Sequence, residues 1–182
     1  MRKRIITLII ATILLLLLIK FCSYPAVSKD YYNDPDDYED IWELEGVLEL
    51  SKLADNGYLA MFPTDVSRLE IKDYLCRHDQ CLPLGEGFQL FIKVKYEDRK
   101  EFLEEKERLA ALDAYGKKTS TKTKLTLYMA QDGFRSCYEY TLIDEKEQTV
   151  IYIYLTGLPK KQIEFDHKYL PDNYKDYGYF PD

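Results

Sequence analysis

The side chains best suited to chemistry lie in one short stretch of the sequence, Cys76-Arg77-His78-Asp79-Gln80-Cys81. A structural zinc ion takes four nitrogen or sulfur donors, and this stretch offers at most three, from Cys76, His78 and Cys81. His167 or Cys137 would have to complete the set. Because the spacing matches no standard zinc element, we interpret the stretch as a polar hairpin loop and not as a metal site.

A nucleophile with its base is the second possibility. Cys137, His167 and Asp166 are residue types that form such a set. Cys137 falls inside a predicted strand, on the face opposite Tyr138, where we expect a buried and inert thiol. We therefore assign no catalytic, cofactor-binding or metal-binding residue and predict that the protein is not an enzyme. The alternative hypothesis is a membrane-tethered or secreted metal-assisted hydrolase that uses His78 and His167, the two histidines of the chain.

The cysteines leave a redox question open. Cys76 and Cys81 are separated by four residues, and they can form a disulfide bond in an oxidising compartment or stay as two separate thiols. Sequence spacing does not decide between these states, because a disulfide bond needs a specific geometry.

The N-terminus carries the strongest signal. A basic tip at residues 1–4 precedes residues 5–22, which are apolar except for two threonines and Lys20. At about 1.5 Å per residue this segment spans about 27 Å, enough to cross a bilayer if Lys20 reaches the headgroups. The excess of positive charge before the segment places the tip in the cytoplasm and the rest of the chain outside. We predict a single-pass transmembrane helix that acts as a signal anchor in the cell membrane.

Cleavage of this segment is the alternative. Ala26 and Ser28 form a small-residue site before Lys29, so a secreted chain that begins near Ser28 is also consistent with the sequence. Cys22 is a poor site for lipid attachment, because the residues before it, Lys20 and Phe21, are not small.

Charge narrows the choice of partners. The chain has a formal net charge of −7, and residues 1–29 contain five basic and no acidic residues, so the remainder carries −12. An acidic domain repels nucleic acid, which we do not expect as a partner. The expected partners are the lipid bilayer, through residues 5–22, and an envelope protein. The 17 tyrosines suit half-buried strands, and we expect a tyrosine-bearing sheet to form the contact surface.

Hydrophobic periodicity predicts one α+β domain. An acidic linker at 23–40 leads into a domain at 41–170, which is followed by a Tyr/Asp-rich tail at 171–182. Helices are predicted at 38–54 and from Asp98 to about Ala114, the second with Asp98 as its N-cap. Alternation or short apolar runs predict strands at 58–62, 69–75, 88–95, 125–129, 138–142 and 150–155. We therefore expect one antiparallel sheet with a packed amphipathic helix.

Several of these residues form a loose pattern. Phe62-Pro63 and Asp65-Val66 precede the stretch from Leu90 to Tyr96, which runs into Phe102–Leu109. Over roughly 58–155 the chain resembles small envelope-associated α+β proteins of Gram-positive bacteria, membrane-anchored or secreted, to which no activity is assigned. The resemblance implies a location and a fold, and it carries over no site residue.

Overall fold

The computed structural model describes residues 12–13, 28–40, 54, 57–63, 65–66, 69–81, 85–133 and 137–175. These residues form a six-stranded antiparallel sheet and one long helix, which confirms the α+β class. No helix in this part of the chain is long and apolar enough to cross a membrane. The predicted transmembrane segment 5–22 lies outside the described residues, apart from Thr12 and Ile13, and stays a prediction.

The sheet is built from two groups of three strands. Its order is β1-β2-β3-β6-β5-β4, and all neighbours are antiparallel. The strands are β1 (Ser28–Tyr32), β2 (Glu70–Cys81), β3 (Gly85–Lys95), β4 (Thr126–Asp132), β5 (Cys137–Asp144) and β6 (Thr149–Thr156). The short helix α1 (Asp37–Asp40) follows β1, and the long helix α2 (Arg99–Leu112) separates the two groups.

Helix α2 begins as its sequence predicts. The Asp98 side chain accepts a hydrogen bond from the Lys100 amide at 2.6 Å, which satisfies one of the donors left open at a helix N-terminus. Phe102 and Leu109 are the buried positions of the helix. On the exposed side of the helix, Arg108 forms an ion pair with Glu105, and Lys100 forms one with Glu104.

The sheet is covered on both faces. We call the face under α2 the helix-side face. Its strand residues include Cys76, Phe88, Leu90, Ile92, Val94, Cys137, Val150, Tyr152 and Tyr154. This set confirms the predicted alternation of β3. We call the opposite face the tail-side face, because residues 158–174 cover it, with Phe165 stacked on Phe91 at 5.2 Å between ring centroids.

The predicted tail begins inside this covering segment. Tyr174 donates to the carbonyl oxygen of Leu158 at 2.6 Å, and its ring lies 5.0 Å from that of Tyr138. Residues 171–175 are therefore docked, and residues 176–182 lie outside the described part of the chain.

The region predicted as an acidic linker, 23–40, contains structure. Ser28–Tyr32 pairs with Cys76–Gln80 as an edge strand, and Tyr38 in α1 is fully buried, with its hydroxyl donating to the carbonyl oxygen of Pro63. The acidic composition hid this strand, because its hydrogen bonds come from a partner that lies more than 40 residues away. Of the predicted helix at 38–54, only residues 38–40 and 54 are described.

Two further predictions were wrong. Tyr58–Phe62 is an irregular turn and not a strand, and Leu59 has a positive φ of 60°. The stretch from Cys76 to Cys81, interpreted from the sequence as a polar hairpin loop, is strand, since β2 runs to Cys81 and β3 starts at Gly85. A bulge between Ile71 and Asp73 moves Leu75 to the tail-side face, so the period of two is interrupted where the sequence suggested continuity.

Candidate functional site

Strand β2 separates the residues of the possible zinc stretch. Neighbouring side chains on a strand point to opposite faces, so Cys76 and His78 face α2 whereas Arg77 and Asp79 face the tail-side segment. Cys76 and Cys81 lie five positions apart on this extended strand, about 17 Å at about 3.4 Å per residue. That separation is too long for a disulfide bond between them.

The two histidines also lie apart. The His78 ring contacts Phe88 in the helix-side core, at 6.4 Å between centroids. His167 lies in the covering segment of the tail-side face, where its Nε2 is 3.2 Å from the carbonyl oxygen of Ile163. The sheet stands between them, so these residues do not converge on one metal ion. Within the described residues, no group of three or more His, Cys, Asp or Glu side chains is placed to hold a metal.

Cys137 is not positioned as a nucleophile. It is buried in the helix-side core, on the opposite side of the sheet from His167. Burial raises the pKa of the Cys137 thiol to about 12, so the thiol stays protonated at neutral pH.

A cleft on the helix-side face is the candidate binding site. It has a volume of about 340 Å³ and lies between α2 and the segment that leads into β2. Its lining residues are Pro63, Asp65, Leu69, Tyr96, Glu101, Glu104, Glu105 and Arg108. Four of the eight are carboxylates and one is a guanidinium, so the cleft is acidic with an apolar and aromatic part.

One wall is the first two turns of α2. Glu105 accepts two hydrogen bonds from Arg108, both at 2.7 Å, in a bidentate ion pair. Glu105 also accepts a hydrogen bond from the Tyr152 hydroxyl at 2.7 Å. The Tyr152 hydroxyl oxygen in turn lies 2.7 Å from the Tyr96 hydroxyl oxygen. Glu101 and Glu104 are exposed on the same helix, three positions apart, which places both on the rim of the cleft.

The other wall is held from two sides. Arg108 donates to the carbonyl oxygens of Ala60 and Met61, at 2.9 and 2.7 Å. From below, Glu139 in β5 accepts from the amides of Leu59 and Met61, at 2.9 and 2.7 Å. These two side chains satisfy backbone groups that a strand neighbour would otherwise satisfy, and they fix the turn that the sequence suggested was a strand.

Glu139 is an unusual residue for the middle of a sheet. Its side chain is fully buried. Burial raises the pKa of the Glu139 carboxyl to about 7, although the amide hydrogen bonds from Met61 and Leu59 and the nearby Arg108 oppose the shift. Two further titratable groups lie near Glu139. Cys137 is on the same face of β5, and Tyr154 is opposite Glu139 on β6.

Sequence reasoning missed this site. Glu139 and Thr141 lie on the face of β5 opposite Tyr138 and Tyr140, and both are buried. The available signal was a glutamate in the middle of a strand whose other charged residue, Asp144, stands at its end.

Most tyrosines of the sheet are buried, whereas Tyr31 on the edge strand β1 is half-exposed. Tyr74, Tyr138, Tyr140, Tyr152 and Tyr154 are all buried. Among the described residues, the concave cleft is the default candidate for a binding site. Carboxylates beside an aromatic ring suit a cationic group.

Searches against models of known protein families, curated proteins and solved structures found no match. The likeness to envelope-associated proteins therefore stays a prediction from the sequence.

Proposed function

We propose that the protein is a single-pass membrane protein whose extracytoplasmic domain binds a partner and does not catalyse a reaction. In this proposal the acidic cleft accepts a cationic group, an ammonium or guanidinium, from an envelope protein. The observation that carries it is the cleft itself, in which Asp65, Glu101 and Glu104 surround the Glu105–Arg108 ion pair beside Tyr96.

The position of β1 supports a domain that works close to the membrane. Ser28 begins the edge strand six residues after Cys22, the end of the proposed transmembrane helix. Six residues extend over about 20 Å at most. A tether this short restricts partners to the immediate neighbourhood of the bilayer.

The cleft is tested with a cationic probe. Full-length protein in neutral detergent micelles is titrated with fluorescent hexalysine, and binding is followed by anisotropy. Exposed charge pairs each contribute roughly 0.2–1 kcal/mol, so the double variant Glu101→Gln/Glu104→Gln should bind roughly threefold to tenfold more weakly.

The matched control removes two carboxylates elsewhere. Glu145 and Glu147 lie in the turn between β5 and β6 and do not line the cleft. Glu145→Gln/Glu147→Gln should bind hexalysine like the unaltered protein. Equal weakening by both double variants would show that only overall charge matters, and the cleft would lose its role.

A further inference from the structure

We propose that the partner in the cleft is a second copy of this chain, which inserts the lysines of its 117–124 loop. This inference rests on the proposed function, because it names the occupant of the same cleft. It adds a second surface to the argument, one that is basic and belongs to the same molecule.

The 117–124 loop concentrates positive charge in an acidic protein. Its sequence is Lys-Lys-Thr-Ser-Thr-Lys-Thr-Lys, with four lysines and no acidic residue. All four lysines are exposed, and none forms an ion pair with another described residue. The screening length is about 8 Å at physiological salt, so this local charge acts largely independently of the net charge.

Contacts with the covering segment hold the loop in place. The Ser120 hydroxyl donates to the Asp172 carboxylate, and the Thr119 hydroxyl donates to Asn173 at 3.0 Å. The backbone amide of Asp172 donates to the Ser120 carbonyl oxygen at 2.8 Å, and Thr121 forms a bridge with Pro171. The lysines thus project from a backbone that is fixed against the domain, so less entropy is lost when they bind.

Charge complementarity identifies the second copy. The cleft is lined by four carboxylates, of which Glu105 pairs with Arg108 and Glu104 with Lys100, and the loop presents four ammonium groups. Lysine suits this cleft because its long apolar stem can lie along Tyr96 and Leu69 while its charge reaches the rim.

The two surfaces lie toward different edges of the sheet. The loop leads into β4, one edge of the sheet, whereas Leu69 in the cleft leads into β2, beside the other edge strand. Glu101 is about 16 Å from the C-terminal end of α2 at about 1.5 Å per residue, and the loop starts beyond that end. A chain with its loop fixed at β4 does not fill its own cleft, so copies join head to tail, side by side.

The contact between copies is weak in solution, and anchoring the copies in one bilayer favours it. Exposed ion pairs contribute little individually, so the isolated contact is of low affinity. Tethering copies to one bilayer raises their effective concentration, typically to the millimolar range, which favours such contacts. The test therefore uses full-length protein in vesicles of phosphatidylcholine, a lipid without net charge.

The experiment joins touching amines and carboxylates. Equal amounts of ¹⁴N- and ¹⁵N-labelled protein are mixed in the vesicles, treated with a zero-length carbodiimide cross-linker and analysed by mass spectrometry. We expect mixed-isotope links between the 117–124 loop and Glu101 or Glu104. Absence of such links, or links confined to one isotope, would overturn the inference.

Variants with reversed charge test whether the loop and the cleft contact each other. Lys122→Glu/Lys124→Glu should reduce the mixed-isotope links from Lys117 and Lys118 to Glu101 or Glu104 by roughly tenfold, because like charges then meet, whereas Glu101→Lys/Glu104→Lys removes the reacting carboxylates and should abolish those links. A mixture of the two variants should restore links, since the unaltered loop of one variant meets the unaltered cleft of the other, and the reversed loop meets the reversed cleft. Failure of the mixture to restore the links would contradict the proposed contact.

The control and the hexalysine titration separate the two proposals. Lys146→Glu/Lys168→Glu changes the net charge equally outside the loop and should leave the links unchanged. If hexalysine binds the cleft but no loop–cleft link forms, the cleft has another partner and only this inference fails. If hexalysine does not bind either, the proposed function fails with it.

Discussion

Glu139 shows how one side chain sets the shape of the candidate site. It lies in β5 under the cleft wall and holds the amides of Leu59 and Met61, while Arg108 holds the carbonyl oxygens of the same turn. Leu59 has a positive φ, a conformation that leucine adopts only when its surroundings enforce it. The buried carboxylate is therefore the structural reason that this wall is a turn.

The titration of Glu139 predicts a pH dependence of stability. Its folded pKa is about 7, above the ordinary value of 4.5, so the folded state binds the proton more tightly than the unfolded state. Between these two values the free energy of unfolding falls as pH rises, by about 3 kcal/mol at about 1.36 kcal/mol per pKa unit. Urea denaturation of the full-length protein in detergent at pH 4.5, 6 and 7.5 measures this slope.

The variant Glu139→Gln isolates the contribution of this one group. Glutamine does not titrate, so the difference in unfolding free energy between the unaltered protein and the variant should change with pH over the same range. Carboxylates elsewhere, such as Glu145, are present in both proteins and cancel in the difference. A difference that stays constant from pH 4.5 to 7.5 would show that Glu139 does not titrate there.

Asp113 joins α2 to the edge of the sheet. Its carboxylate accepts from the amides of Gly116 and Met129, at 2.7 and 2.9 Å, and the amides of Ala114 and Tyr115 donate to the Met129 carbonyl oxygen. These bonds satisfy both backbone groups of Met129 on β4, which is an edge strand. Edge strands with open backbone groups promote aggregation, so this junction protects the sheet.

Replacing Asp113 tests the junction. Asp113→Ala leaves two partly buried amides without their acceptor and should lower the unfolding free energy by about 2 kcal/mol. Asp113→Asn keeps one acceptor oxygen and should lower the free energy of unfolding by less. Thermal or urea unfolding of both variants gives the comparison, and equal losses would mean that the acceptor oxygens are not what stabilises this corner.

The covering segment is the second element whose role can be measured. Phe165 is buried against Phe91 at the centre of the tail-side face, with Ile163 and Leu170 in the same cluster. Phe165→Ala removes this packing and should reduce stability by about 3 kcal/mol. Tyr169 also contacts Phe91 but is only partly buried, so Tyr169→Ala should cost less in the same urea titration. The reverse order would place the main packing contact at Tyr169.

At the scale of the whole molecule, local sequence patterns predicted local structure. The alternation of apolar residues from Phe88 to Val94 predicted a strand, and the structure confirms it as β3. The N-cap at Asp98 predicted the start of a helix, which the structure confirms as α2. The Ser28–Tyr32 strand and the hydrogen bond that Glu139 accepts from the Leu59 amide were not predicted, because each depends on a partner far away in sequence. The cleft was not predicted for the same reason, since three segments that are separate in sequence form it.

The relation of the domain to the membrane is the last property to test. If residues 5–22 are a retained transmembrane helix, the mature protein in carbonate-washed membranes should begin at Met1 or Arg2. Intact mass and N-terminal sequencing measure this directly. A chain that begins near Ser28 in the supernatant would lack the tether, and because β1 itself starts at Ser28 the sheet would keep its edge strand. Side-by-side assembly would then lose the effective concentration that a shared bilayer supplies, whereas the cleft would remain available to a diffusible cationic ligand.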